Sequence, residues 1–394
     1  MKGFRGHVIF WILCVFIPSI VYAQGSQTLE SYELHTETIN SKVLNEERTV
    51  VIQLPKSYSS NPSKKYPIIY RLDGAGNLAQ MNAVLESLQS QRAAPEVIIV
   101  AIENTDRLRD FYPTVNQDPR GPVGLGGGGA KFLKFITSEL MPLVEKEYRV
   151  HDYRVIAGAS AGGVFSLFAL QKRPDLFNAV LAYSPAVWWA EGATGNSTVE
   201  FLKKNQQLNQ FIYTAIGNEQ APMRSYYDGM IAGIMAHKPK GVRWVNDSFK
   251  DVPHNLVSTA ARFRAFHNLF HSEYMQVHDY TGELASIDKY YARVSQQHGE
   301  EIKAPEWVIR ELGYHFVSQK DYEQAIKVFQ YNVEKYPDSS DAHNGLAYGY
   351  EESGKWQKAL TSVNAALELA SKDNDGYQVY MNRRARLLKR LNES

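Results

Sequence analysis

The chain has 394 residues, 44% of them hydrophobic, with 43 basic and 42 acidic side chains. That length holds two folded units with a sizeable core. The even charge balance and apolar content exclude a disordered chain and a strongly basic nucleic-acid surface, so no nucleic-acid partner is expected.

The amino terminus reads "MKGFRGHVIFWILCVFIPSIVYAQG". Lys2 and Arg5 precede an apolar run from Val8 to Tyr22, and Val21-Tyr22-Ala23 supplies a cleavage site. The run is shorter than the ~20 residues of a spanning helix, so residues 1–23 are expected to be a signal peptide; the alternative is an uncleaved anchor. Leu13 argues against a lipid-modified Cys14. Cleavage leaves 41 basic and 42 acidic residues and removes the single cysteine. Disulfides, a cysteine nucleophile and thiolate metal sites are then excluded. The expected product is periplasmic or secreted, with no membrane span after cleavage.

Residues 31–55 alternate, end in "RTVVIQLP" and predict two strands. "YPIIYRLDG" and "EVIIVAIEN" are nearly continuous apolar runs, the mark of strands buried on both faces. The turn after the first carries Gly74 and Ala75, the expected source of one oxyanion donor; Asp73 is expected to be structural. After the second, "NTDRLRDFYP" holds Arg107, Arg109 and Asp110: a salt-bridged loop, or, through Arg107, a substrate contact. "AKFLKFITSELMPLVEKEY" has helical spacing behind Gly126 to Gly129.

"RVIA" then runs as a strand into "GASAGG", followed by the helical "GGVFSLFALQKRP". A G-x-S-x-G turn between strand and helix strains the serine backbone and lifts Ser160 Oγ to the carboxyl edge of the sheet. The Ala161 N–H, opening the helix, faces the same point as an oxyanion donor. The plainer reading is a tightly packed turn, and the rest of the triad decides against it. "NAVLAYSP" predicts a strand whose end carries Trp188 and Trp189, either walls of a substrate pocket or packing under a loop. "QFIYTAIGNE" predicts another, with Glu219 just beyond it as the acid; Asp247 and Asp251 are rivals. His254, in the loop after the last strands, is the expected base. His237 reads as a solvated helix end, and His267 and His271 as a packed or solvated pair without a zinc-protease glutamate. No metal or cofactor is expected.

Strand and helix alternate from about residue 66 to 270, an open α/β pattern. Beyond it, "ELGYHFVSQKDYEQAIKVFQYNVEKYP" and "GLAYGYEESGKWQKALTSVNAALELAS" superpose at an offset of 34, pairing Ala325 with Ala359 and Phe329 with Val363. That period with small and aromatic residues matches tetratricopeptide repeats. Two repeats rarely stand alone, so Tyr280 to Trp307 is expected to pack with them or dock them. The expected domains are the signal peptide 1–23, an esterase domain 24–275, a helical connector 276–305, and repeats with a closing helix at 306–394.

The stretches "VVIQLPKSY", "YPIIYRLDG", "RLRDFYP", "AGASAGG", "RPDLFNAVLAYSPAVWW", "GNE" and "PHN" together resemble the Putative esterase family of α/β-hydrolases. That family includes esterase D-like and ferric-siderophore esterases. The resemblance covers about residues 30–272. It implies an α/β-hydrolase sandwich with a mostly parallel central sheet, Ser160 as nucleophile and His254 as base. The acid is less regular among relatives, and Ala161 stands where many carry a larger residue. The implied function is an exported serine esterase for short acyl, siderophore-lactone or carbohydrate-linked esters, with a small-molecule ester as substrate and a protein partner for the repeats. An acyltransferase with the same triad, or a hydrolase-like interaction protein, are the alternatives.

Overall fold

The computed structural model describes residues 32–393; the expected signal peptide and its cleavage site lie outside them. Eight strands form one sheet in the order β1-β2-β4-β3-β5-β6-β7-β8. Two are the amino-terminal pair, β1 (Glu33–Ser41) and β2 (Glu46–Leu54); β2 is antiparallel to both neighbours. The rest, β3 (Tyr66–Arg71), β4 (Ile98–Ile102), β5 (Val150–Ala159), β6 (Ala179–Tyr183), β7 (Phe211–Ile216) and β8 (Arg243–Ser248), pair in parallel. Every residue of β3, β4, β6 and β7 is buried, which is why these strands read as continuous apolar runs rather than as alternation.

Helices cover both faces. On one, α1 (Leu78–Ser90) and α8 (Val257–Leu269) pack through Met81, Leu85, Ala261 and Phe266 onto Ile69, Val155 and Leu181. The other holds α2 (Arg107–Phe111), α3 (Gly129–Phe135), α4 (Met141–Glu147), α5 (Ala161–Lys172), α6 (Trp189–Lys204) and α7 (Met223–His237) over Ile68, Tyr70, Ile156 and Ile212. The single helix expected around residues 130–148 is α3 joined to α4 by a π-helical turn at Ile136–Leu140. Together these layers make the α/β-hydrolase sandwich with its mostly parallel sheet.

The carboxyl-terminal region is all helical: α9 (Ala285–His298), α10 (Glu306–Ser318), α11 (Tyr322–Lys335), α12 (Ser340–Glu352), α13 (Trp356–Leu369) and α14 (Tyr377–Glu393). The Asp321 side chain caps α11 by accepting from Gln324 N–H at 3.1 Å, and Ser339 caps α12 from Ala342 N–H at 3.2 Å. The first helix of each pair starts 34 residues from its counterpart (306 and 340), as does the second (322 and 356). Helix α9 serves two neighbours. Its Ile287, Tyr290, Tyr291 and Val294 share a core with Val308, Leu312 and Val328 of the pairs. Its Gln297 donates to the Leu269 carbonyl at 2.8 Å and to Tyr153 Oη at 3.2 Å in the sandwich. No helix among the described residues is long and apolar enough to cross a membrane.

Candidate active site

Ser160 sits between β5 and α5 at φ 55° and ψ −116°, a conformation an L-residue adopts only under constraint. The constraint is visible on both sides. Its N–H donates to the Tyr183 carbonyl at 2.9 Å, and its carbonyl accepts from Val164 and Ala186 N–H at 3.1 Å each. A Cβ at Gly158 would lie 2.4 Å from the Gly162 carbonyl, and one at Gly163 would lie 3.1 Å from Pro185. The glycines therefore let helix and strand close around the serine. Ala161 is the first residue of α5, where N–H groups have no intrahelical acceptor.

Glu219 lies three residues past β7. A Cβ at Gly217 would meet the Val252 carbonyl at 2.4 Å, and Asn218 N–H donates to that carbonyl at 2.9 Å, tying this turn to the loop that carries His254. Glu219 Oε1 accepts from His254 Nδ1 at 2.8 Å and from Ser184 Oγ. Burial raises the Glu219 carboxyl, but the hydrogen bonds from Ser184 and His254 outweigh it and hold the group below its ordinary value. With Nδ1–H given to the carboxylate, His254 Nε2 is left as an acceptor. Glu219 is nearly enclosed, with a side chain 7% exposed; His254 is open, at 41%.

Asp247 and Asp251, the rival acids, are elsewhere. Asp247 is clamped by Arg264 through two 2.7 Å hydrogen bonds and by Tyr213 Oη at 2.7 Å. Asp251 is exposed. The expected oxyanion donors in the turn after β3 are engaged: Gly74 N–H donates to the Ile102 carbonyl at 2.9 Å, and Ala75 N–H to Glu103 Oε1 at 2.8 Å. Glu103 folds back onto this turn, so both N–H groups already have acceptors within the protein.

Trp189 is not a pocket wall. It is 3% exposed, stacks on Tyr112 at 3.7 Å and donates Nε1–H to the Thr114 carbonyl at 2.9 Å, so it packs under the loop that follows α2. Trp188 is half-buried, and a Cβ on Gly121 of that loop would lie 2.7 Å from its ring. Arg107 is likewise held by protein groups: Nε and Nη2 bind the Asp73 carboxylate at 2.6 and 3.1 Å, and Nη2 also donates to the Ala159 carbonyl at 3.1 Å. It braces the residue before Ser160. Arg109 binds Glu46 and Asp110 in the expected salt-bridged loop.

Three residues at this edge escape sequence reasoning. Ser184, 1% exposed at φ 39°, positions Glu219; its place one residue past a strand is the only sequence signal. Arg71 and Arg262 are 9% and 5% exposed, and neither stands out in "IIYRLDG" or "AARFRAF".

Comparison with known proteins agrees with this architecture. Residues 41–239, about half of the chain, match the family described as Putative esterase. The chain is 29% identical over 209 residues to the uncharacterised protein YbbA of Bacillus subtilis, spanning 52% of this chain and 78% of that one. It is 32% identical over 186 residues to the ferri-bacillibactin esterase BesA of the same organism, spanning 42% and 63%. A crystal structure of an IroE-like serine hydrolase from Shewanella oneidensis superposes with a TM-score of 0.61 at 24% identity, covering 77% of this chain and 99% of that one. An uncharacterised protein from Capnocytophaga ochracea superposes with a TM-score of 0.65 at 17% identity, covering 91% and 100%. The class is that of the carboxylic ester hydrolases built on the α/β-hydrolase fold. Within it, the chain belongs to the Putative esterase family.

Proposed function

We propose that the protein is an exported serine esterase working through an acyl-Ser160 intermediate. The observation that carries this reading is the strained Ser160 heading α5, at φ 55°, together with the 2.8 Å His254–Glu219 hydrogen bond beyond parallel neighbouring strands. One line of contacts links them. Ser160 N–H binds the Tyr183 carbonyl, the adjacent Ser184 binds Glu219, and Glu219 binds His254.

Ser160 Oγ attacks the ester carbonyl while His254 Nε2 takes its proton. The carbonyl oxygen becomes an oxyanion met by the Ala161 N–H at the positive end of α5. Collapse breaks the C–O bond, and His254 returns the proton to the departing alkoxide. Water, deprotonated by His254, then attacks the acyl carbonyl; the acyl C–Oγ bond breaks, the carboxylic acid leaves, and His254 returns the proton to Ser160 Oγ. Glu219 fixes the imidazole tautomer and stabilises the imidazolium.

The relatives named as siderophore esterases, BesA among them, support an ester-linked siderophore as substrate. The 34-residue spacing of α10–α13 supports tetratricopeptide repeats that present a surface to a protein partner. For export, the charged and apolar pattern of residues 1–23 is the support. A fluorophosphonate probe is expected to label the protein, and Ser160→Ala to abolish both labelling and 4-nitrophenyl acetate turnover with the melting curve preserved. Labelling that persists in that variant places the nucleophile elsewhere.

A further inference from the structure

A cavity of about 190 Å³ opens on the α1–α8 side of the sheet at its carboxyl edge. Its lining includes Arg71, Asp73, Ala159, Tyr183, Asn255 and Arg262. Ala159 precedes Ser160 and Asn255 follows His254, so the cavity is lined by the chain neighbours of two candidate catalytic residues. Arg71 ends β3 and Arg262 lies midway along α8. Both are more than nine-tenths buried, yet their hydrogen bonds go to neutral oxygens. Arg71 Nη1 donates to the Asp73 carbonyl at 3.2 Å, and Arg262 Nη1 to Gln80 Oε1 at 3.3 Å.

Buried cations are normally paired, because the desolvation cost is otherwise uncompensated. Burial and the facing Arg262 hold the Arg71 guanidinium below its ordinary value; burial does the same to Arg262. The Asp73 and Glu103 carboxylates attract the Arg71 guanidinium, but neither hydrogen-bonds to it through its carboxylate oxygens, and burial outweighs them. Asp73 is taken by Arg107 and by Asn104 at 2.8 Å, and Glu103 is bound to the Ala75 N–H. Counting Arg71, Arg262 and Arg107 against Asp73 and Glu103, the surroundings keep one positive charge in excess. That balance suits a monoanion better than a dianionic phosphate. The volume lies below the ~300 Å³ at which drug-sized pockets begin, so the group is small.

We propose that Arg71 and Arg262 form a subsite for a carboxylate carried by the ester substrate, a short dicarboxylic half-ester being the simplest such molecule. Guanidinium forks match a carboxylate with two parallel hydrogen bonds. That the carboxylate belongs to a substrate rests on the esterase reading above; the anion site itself does not.

The test separates the two. In full-length Ser160→Ala protein, calorimetric titration with monomethyl glutarate is expected to show binding, and neutral dimethyl glutarate none. Adding Arg262→Met or Arg71→Met is expected to weaken monoester binding roughly 10- to 100-fold, the weight of charge-assisted hydrogen bonds. With Ser160 intact, the ratio of kcat/KM for 4-nitrophenyl hemiglutarate over 4-nitrophenyl butyrate is expected to fall by the same factor in each arginine variant. Arg262→Lys, which keeps a buried cation, is expected to lose less and serves as the comparison if Arg262→Met does not fold. Equal binding of monoester and diester, binding of inorganic phosphate alone, or a ratio unmoved by every variant overturns the subsite. Monoester binding without turnover of any ester keeps the subsite and removes the esterase reading.

Discussion

At Glu219, Oε1 accepts two hydrogen bonds, from His254 Nδ1 and from Ser184 Oγ, while buried Oε2 has no partner among the described residues. The orientation of the carboxylate therefore depends on that one oxygen. Glu219→Gln presents an amide that cannot stabilise the imidazolium, and a comparable loss in serine proteases reaches about 10⁴-fold. We expect kcat on small esters to fall roughly 10²- to 10⁴-fold in Glu219→Gln. Ser184→Ala removes one donor but leaves the charge, and is expected to cost about 10-fold in kcat, the weight of one hydrogen bond to an ionised group. Asp247→Asn loosens Arg264 and Tyr213, away from His254, so steady-state kinetics should show little change in kcat. If Asp247→Asn is the crippled variant, Glu219 is not the acid.

Among the elements, the helical pairs close where glycines meet a ring. Phe329 of α11 is fully buried; a Cβ at Gly313 of α10 would lie 2.4 Å from its ring, and one at Gly349 of α12 would lie 2.9 Å from it. In an exposed helix, glycine to alanine stabilises by about 1 kcal/mol. Here the added methyl overpacks the interface, so Gly313→Ala is expected to destabilise by about 1–3 kcal/mol. A urea melt followed at this region reads it, and a stabilised variant would show that α10 and α11 separate easily. The 34-residue spacing was legible because matching positions of the helical pairs carry small or aromatic residues, Ala325 with Ala359 and Tyr322 with Trp356 among them. The elbow and the apolar strands were legible for the same local reason: Gly158, Ser160 and Gly162 lie within five positions, and β3 and β4 are short and wholly buried. What stayed hidden depends on residues far apart in sequence. Arg71 and Arg262 meet across a strand and a helix 191 positions apart. Trp189 stacks on Tyr112, and the Ala75 N–H is held by Glu103, neither of which a local pattern reveals.

Across the whole molecule, the joint between sandwich and helical region is built around His271. Its Nδ1–H faces Gln297 Oε1 of α9 at 3.1 Å, and its Nε2 accepts from Arg243 Nη1 at 2.8 Å. A protonated ring would oppose Arg243 with a like charge, and Arg293 adds to the same field. Burial and Arg243 accordingly push the His271 imidazole down to about 3, while Gln297 partly resists. Burial also lowers His298, with Glu273 opposing, and His298 lies in the same joint. An unfolded histidine titrates near ~6.5. Between that pH and the lowered native value, the unfolded chain binds protons that the native joint refuses, so stability falls as the pH drops through this window and is intact above it. Thermal melts are expected to show a lower midpoint at pH 5 than at pH 7.5. His271→Gln, which can still accept from Arg243 but does not titrate, is expected to narrow that gap, with His298 keeping the remainder. An unchanged gap would place the acid-sensitive step outside the joint. The same contacts bear on where the sandwich can be cut. A chain ended at residue 275 keeps Ser160, Glu219 and His254 but removes Gln297, which costs His271 and the Leu269 carbonyl one partner each and leaves both on Arg243. We expect such a chain to turn over small esters per folded molecule as the whole protein does, with a lower melting midpoint and a smaller midpoint gap between pH 5 and pH 7.5, since His298 is gone and His271 has lost its α9 cover. Folded truncated protein without small-ester turnover would mean that the helical region completes the site.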